Sequence, residues 1–360
     1  MYSRVAPVTE PSRLTKQDAN GLILNDATED MPHLPMGPFA KMPDGAIVAV
    51  DTTESLTSRD MGATWERHPL FAPDPNLAVC AERAIVCTKS GVLICAFMNE
   101  REIHWTWSDE LRDAPGAVLP TYAMRSTDGG ITWTDIQKLH DDWTGAIRSI
   151  IQTRTGRVVF TSMKFLHDPG RHSVLTYASD DDGVTWTASN LLDLGDTGHH
   201  GGVTESTICE LASGKLLMYL RTNWSQFWLA TSSDGGLHWH SMGPAGIEAS
   251  SAPGLLLRLA SGRIMLLWNR LYPEGKTDYP LSGGDGLWSS VPVSNHRGEL
   301  CVSFSSDECE HWSAPVVVAK HPKDEWIAYP YAFEVEPGVL WLTTMQGGLR
   351  CRIREADFVR

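Results

Sequence analysis

The sequence is short of basic residues, long apolar runs and paired cysteines, and each shortage excludes a class of protein. Lys and Arg total 30 against 44 Asp and Glu, a formal charge of −14. A nucleic-acid partner normally meets a basic face, so none is expected. An anionic small ligand is not excluded, because a few arginines gathered in one pocket outweigh a diffuse negative surface at short range. No apolar run approaches the roughly 18 residues that span a bilayer as a helix, so no membrane partner is expected. The opening stretch MYSRVAPVTEPSRLTKQDANG has no apolar centre and does not read as a signal peptide. The 7 cysteines include no Cys-x-x-Cys pair, and Cys87, Cys95, Cys209, Cys301 and Cys351 sit inside apolar strand-like runs. They read as buried free thiols rather than a disulfide framework, which fits a reducing cytoplasm. No spacing implies a metal ion or an organic cofactor, so neither is expected.

What the sequence has is repetition. Ser-x-Asp-x-Gly-x-x-Trp occurs as SRDMGATW from Ser58, STDGGITW from Ser126, SDDDGVTW from Ser179 and SSDGGLHW from Ser232. A degraded copy, SSDECEHW, starts at Ser305 with Cys309 in the glycine position. The Asp can accept backbone N–H bonds in a tight turn, the Gly allows positive φ, and the Trp buries a ring beneath the turn. A second unit precedes each box: a short apolar strand, a polar turn ending in Gly, and another apolar strand. It reads FAKMPDGAIVAV at Phe39, AIVCTKSGVLICAF at Ala84, SIIQTRTGRVVF at Ser149, ICELASGKLLMYL at Ile208 and LLLRLASGRIMLLW at Leu255, and a sixth, AFEVEPGVLWLTTM at Ala332, has no box after it.

These boxes resemble the Asp-box, or BNR, repeat of the sialidase (neuraminidase) superfamily. The resemblance implies an all-β, six-bladed propeller over residues 31–360, with residues 1–30 a partly flexible lead-in that could supply the ring-closing strand.

The hairpin glycines give the blades a common ruler. Glu205 lies nine residues before Gly214 and Tyr329 nine before Gly338, while Arg83 and Arg148 lie eight before Gly91 and Gly156. Counting forward, Arg221 is seven after Gly214, and Lys164, Arg270 and Gln346 are each eight after their glycines. Long polar side chains at strand ends can simply snorkel into solvent. Their recurrence at one height instead suggests a polar ring at the channel mouth, where ligands of propellers gather.

At residue level the resemblance covers three places. Glu205 followed by Glu210-Leu-Ala-Ser-Gly214 and Arg221 is similar to the family's catalytic Glu and second Arg, Arg297-Gly-Glu-Leu300 to its third Arg, and Ala328-Tyr329-Pro330 to its nucleophile segment. The resemblance implies Tyr329 as nucleophile with Glu205 as its base, and Arg221 and Arg297 as a clamp on a substrate carboxylate. Tyr331 is a rival for the tyrosine's task. The family's Arg-Ile-Pro opening is replaced by His33-Leu-Pro35, its acid/base Asp has no clear match, and Gln346 stands in place of a Glu. Arg83 and Arg148 are candidates for a third cationic contact; Glu100, Asp51 or His33 for the general acid; and His199 and His200, ahead of Glu205, for ligand binding or proton transfer. A metal shared by these adjacent histidines is not expected.

The resulting expectation is a retaining exo-glycoside hydrolase acting on sialic acid or a related acidic sugar. Two alternatives stay open: a polysaccharide lyase or uronate-specific hydrolase, and a non-catalytic glycan-binding propeller. The oligomeric state is left open.

Overall fold

The computed structural model describes residues 2–71 and 74–359. Each apolar hairpin found in the sequence forms the inner half of an antiparallel blade, because alternating side chains must bury both sheet faces between neighbours. Blade 1 runs Phe39–Lys41, Ile47–Val50, Glu54–Ser58 and Glu66–Pro69. Blade 2 begins at Ala84–Cys87, blade 3 at Ile150–Gln152 and blade 4 at Thr204–Glu210, each a four-stranded sheet in sequence order. Blade 5 begins at Leu255–Arg258 and blade 6 at Ala328–Glu336. The chain is a six-bladed β-propeller.

A separate apolar cluster fills each of the interfaces between adjacent blades, so the core is distributed around the ring. The junction of blades 6 and 1 is aromatic: the Phe39 ring centroid lies 5.5 Å from Trp341, 5.7 Å from Phe333 and 5.9 Å from Trp65. Rings at these separations add packing beyond the area they bury.

The N-terminal stretch supplies the ring-closing strand expected of it, and the rest of it is paired where a partly flexible lead-in was expected. Glu29–Asp30 pairs with Arg350–Arg354 as the outer strand of blade 6. Ile23–Asn25 and Leu14–Gln17 extend blade 5 to six strands, and Arg4–Val5 pairs in parallel with His311–Trp312. These strands are short and mostly polar, so alternation could not reveal them; backbone hydrogen bonding holds them.

The turn boxes and the hairpin glycines share one face of the ring. In blade 4, Leu216 pairs with Ser232 at that end, whereas Thr204 pairs with Arg221 at the other. Every box repeats one bond set. In the box of blade 1, Ser58 Oγ donates to Asp60 Oδ1 at 2.9 Å and accepts from Gly62 N at 2.8 Å, while Asp60 accepts from Thr64 N at 2.9 Å and Thr64 Oγ1 at 2.6 Å. His238 and His311 replace that Thr in the later boxes, bonding Asp234 and Asp307 at 2.6 and 2.7 Å. In the degraded box Cys309 adopts φ 71° itself, and its buried side chain packs in the core between blades 4 and 5.

Candidate active site

The opposite face collects the starts of first strands and the ends of second strands, so the same pairing that builds the blades brings functional side chains to the axis. Within blade 4 the Thr204–Arg221 pairing sets Glu205 beside Arg221. The Tyr329 hydroxyl, from blade 6, donates to Glu205 Oε1 at 2.9 Å. Arg221 Nη1 donates to Glu205 Oε2 at 2.6 Å and to the Tyr329 oxygen at 3.3 Å. Arg297, entering from blade 5, donates through Nη2 to the Ser251 carbonyl at 2.6 Å and through Nη1 to Gln346 Oε1 at 3.3 Å. Ser251 joins the two arginines, since its hydroxyl accepts from Arg221 Nη2 at 2.9 Å and donates to Asn223 Oδ1 at 2.8 Å.

Tyr329 has φ 59°, a left-handed conformation that costs a non-glycine residue on the order of 1 kcal/mol. The surroundings enforce it. Guanidinium carbons of Arg148 and Arg297 lie 5.2 and 5.6 Å from its ring centroid, within cation–π range, while Glu205 fixes its hydroxyl.

The electrostatics are those of an anion-receiving site. Burial opposes the charge on Glu205, but the Arg221 guanidinium and the bonds from Thr204 and Tyr329 outweigh it and hold the carboxyl down at about 2. Burial, followed by the Glu205 charge, pushes the Tyr329 phenol up to about 12. Burial and the nearby Arg221 pull Arg297 down to about 10. Two buried guanidiniums thus stand near one ionised carboxylate, which only Arg221 bonds, an excess of positive charge that a bound anion would relieve.

Above this cluster lies a cavity of about 240 Å³ lined by Glu82, Trp105, Trp143, Glu205, Arg221 and Tyr329, among others. Its far wall is aromatic. Trp105 and Trp143 have ring centroids 4.3 Å apart, and Trp105 Nε1 donates to His199 Nε2 at 3.0 Å. His200 lines the cavity with its ring 4.8 Å from Trp288. Burial and the Arg221 charge pull His200 down to about 3, so it is neutral at ordinary pH. The backbone N–H groups of His199 and His200 bond the carbonyls of Leu287 and Trp288 at 2.7 and 2.9 Å, so the blade 5 insertion clasps this wall.

The other residues marked by the sequence fall in different places. Arg148 is 2% exposed and lies beneath the cluster: it donates to the Pro330 carbonyl at 2.8 Å and stacks over Tyr331 at 4.5 Å. Arg83 is turned away from the cluster, donating to the Cys80 and Ala81 carbonyls and approaching Asp51 at 4.0 Å. Its one-residue offset from the level of Glu205 explains this, because adjacent residues on an extended chain point to opposite sides. Gln346 bonds Arg297. Tyr331 is tied to the Ala81 carbonyl at 2.8 Å, which removes it as a rival to Tyr329. Lys164 pairs with Asp142 and Arg270 with Glu248, both at 2.7 Å. His33, Asp51 and Glu100 are exposed and absent from the cavity lining.

Sequence reasoning missed Glu82, Ser251, Asn223 and the aromatic wall. The wall comes from irregular insertions that carry no periodic signal. Glu82 had one: it lies nine residues before Gly91, the same ruler position as Glu205 and Tyr329. Among the described residues, one group has metal-ligand spacing, Asp307, Glu310 and His311. It is exposed at the fifth turn box, where the Asp–His pair repeats the bond made by Asp234 and His238.

The family model described as a BNR repeat-like domain matches residues 105–342, about two thirds of the chain. No curated protein matches. Among solved structures, the Hadza microbial sialidase Hz136 is 17% identical, with 92% of this chain and 67% of that chain covered and a TM-score of 0.63. NanB sialidase from Streptococcus pneumoniae, as its K499G mutant, is 13% identical over 98% of this chain and 72% of its own, with a TM-score of 0.59. A leech intramolecular trans-sialidase is 12% identical over 93% and 71%, with a TM-score of 0.57. At such identities the likeness concerns the fold, while the family match rests on sequence. The chain belongs to the BNR repeat-like domain family and shares its fold with these sialidases.

Proposed function

We propose that the protein is a retaining glycoside hydrolase that releases a terminal acidic sugar, with Tyr329 as nucleophile and Glu205 as the base that receives its proton. The observation that carries this reading is the 2.9 Å hydrogen bond between Tyr329 and Glu205, shared with Arg221 at the floor of the cavity. A carboxylate on the anomeric carbon repels an attacking carboxylate, so a neutral phenol suits such a sugar. Arg221 and Arg297 supply planar, paired donors for that carboxylate.

The gap between a phenol near 12 and a carboxyl near 2 keeps the proton on Tyr329 in the resting protein. Proton transfer therefore accompanies attack on the sugar and does not precede it. A substrate carboxylate that takes over part of the Arg221 charge weakens that guanidinium's hold on Glu205 and makes Glu205 a better base. The aromatic wall of Trp105 and Trp143 offers apolar faces to the sugar's C–H side. Its 7 free thiols support a reducing compartment such as the cytoplasm.

The test is a panel of aryl glycosides of sialic and uronic acids, with product configuration followed by proton NMR. Release with retained anomeric configuration, lost in Tyr329→Phe, is the expected result. An ultraviolet-absorbing unsaturated uronate would replace this reading by a lyase, and saturable binding without turnover would replace it by a glycan-binding propeller.

A further inference from the structure

The cavity is lined by two carboxyls, Glu205 and Glu82. Glu205 cannot donate a proton, since Arg221 holds it ionised. We propose that Glu82 is the catalytic residue that protonates the departing glycosidic oxygen and then, as carboxylate, takes a proton from the incoming water; this role rests on the hydrolase reading above.

Position is the first argument. Glu82, Glu205 and Tyr329 each lie nine residues before the hairpin glycine of their blade, and those blades are the second, fourth and sixth. Alternate blades of a six-fold ring present equivalent positions from directions about a third of a turn apart, so three such side chains converge on a single point near the axis. Two of them demonstrably meet there. The third lines the same cavity.

Availability is the second. Of the other acid–base groups, Glu205 is engaged by Tyr329 and Arg221, His199 by Trp105 and His172 by the His199 carbonyl at 3.0 Å. Among the described residues the Glu82 carboxyl is bonded by its own backbone N–H and by no other residue's donor, which leaves it able to bond a ligand. His172 and His200 are poor donors, because burial pulls them to about 4 and about 3. Burial has the opposite effect on Glu82: it raises the carboxyl and outweighs the lowering by Arg148 and Arg83, with Glu205 adding to the rise. A carboxyl whose ionisation burial opposes, beside one that Arg221 holds ionised, is the arrangement that divides acid from base work.

The steps balance. As Tyr329 Oη bonds to the anomeric carbon its proton passes to Glu205, the bond to the leaving oxygen breaks, and that oxygen takes its electron pair and the Glu82 proton. Water then attacks the same carbon, Glu82 accepts the water proton, and the phenolic oxygen leaves with its proton returned from Glu205.

The test compares Glu82→Gln with the parent on two aryl glycosides of one sugar acid, one with an acidic phenol as leaving group and one with a weakly acidic phenol. The expected kcat/KM loss is about 10²–10⁴-fold for the weakly acidic phenol and under about 10-fold for the acidic one, which needs little protonation. The basic limb of the parent's pH profile should vanish in Glu82→Gln. Glu82→Asp, which keeps an acid at greater distance, should retain that limb with a lower rate, and it serves if the Gln variant does not fold. Equal losses on both substrates, or an unchanged basic limb, would overturn the role of Glu82 while leaving the hydrolase reading intact. A parent that turns over neither substrate, nor any sugar acid of the panel, overturns both.

Discussion

The two faces of the propeller are built from the same strands and obey different rules. On the face of the turn boxes, each Asp, Ser and Gly satisfies its neighbours in a pattern repeated from blade to blade. On the opposite face no single bond set recurs from blade to blade, Tyr329 holds a left-handed backbone, and buried nitrogens of Arg148 and Arg297 have no partner among the described residues. A depression of about 390 Å³ on the box side is lined by Arg154, Glu210 and Arg258, whose charges are paired within the protein. Repetition makes a scaffold whose polar groups are spent on itself. Chemistry is possible where the repeat is interrupted and polar groups are left over.

The sharpest way to break this comparison is to remove one oxygen from the strained face. Tyr329→Phe keeps the ring between Arg148 and Arg297 and deletes only the hydroxyl bonded to Glu205. Turnover of an acidic aryl glycoside should fall by about 10³-fold or more, while the melting temperature stays within a few degrees of the parent's. A variant retaining a tenth of the parent's rate would mean that the phenol is not the attacking group.

Next in size is Arg221→Ala, which strands Glu205 as a buried charge. In the parent, Glu205 is depressed to about 2 from an unfolded value of about 4.3, so it contributes stability above that value that is lost as pH falls through 2. Without Arg221 the carboxyl should rise above its unfolded value, and the sign reverses: stability is then present in acid and lost as pH climbs through the raised value. The variant should be destabilised by about 3 kcal/mol at pH 7 and by much less at pH 3. Urea melts at the two pH values measure this, and an equal deficit at both would contradict the pairing.

How much of this was legible follows the same division. The hairpins and boxes were visible because alternation and turn chemistry recur, and Glu205, Arg221, Arg297 and Tyr329 were visible because their surroundings resemble a known family. The strands Leu14–Gln17 and Ile23–Asn25 were not, since a short polar strand is held by backbone bonds that leave no side-chain signature. Arg83 was misplaced by a single residue of offset, and its neighbour Glu82 was overlooked at the level the ruler itself marked. Ser251, Trp105 and Trp143 approach through loops whose course depends on packing between blades.

On the scaffold face the expected effects are on stability alone. A Cβ at Gly236, whose φ is +89°, would lie 2.9 Å from Val159 Cγ1, whereas one at Gly214, with φ +85°, has no neighbour closer than Arg154 Nη2 at 3.9 Å. Both alanine variants strain the backbone, but only Gly236→Ala also overpacks a core. Losses of about 2–4 kcal/mol for Gly236→Ala and about 1 kcal/mol for Gly214→Ala should appear in urea melts, with kcat unchanged in both. A lowered kcat in either would show that the two faces are coupled.

The smallest effect should come from a single box carboxylate. Asp60 is exposed, yet the Thr64 hydroxyl, the Thr64 amide and the Ser58 hydroxyl hold it down at about 2. Its unfolded value is about 3.9, so the bonds stabilise the fold above that pH and the contribution fades as pH falls through 2. Asp60→Asn keeps one oxygen for the Thr64 amide but sets an N–H₂ group against the Thr64 hydroxyl and loses the charge. The variant should melt slightly below the parent at pH 6, and the gap should close as both approach pH 2, where the parent's carboxylate is itself being protonated. A gap that persists unchanged into acid would assign the box's contribution to turn shape, with its charge-assisted bonds incidental. Activity at neutral pH should match the parent's in either case, because the box lies at the end of blade 1 remote from Tyr329 and Glu205.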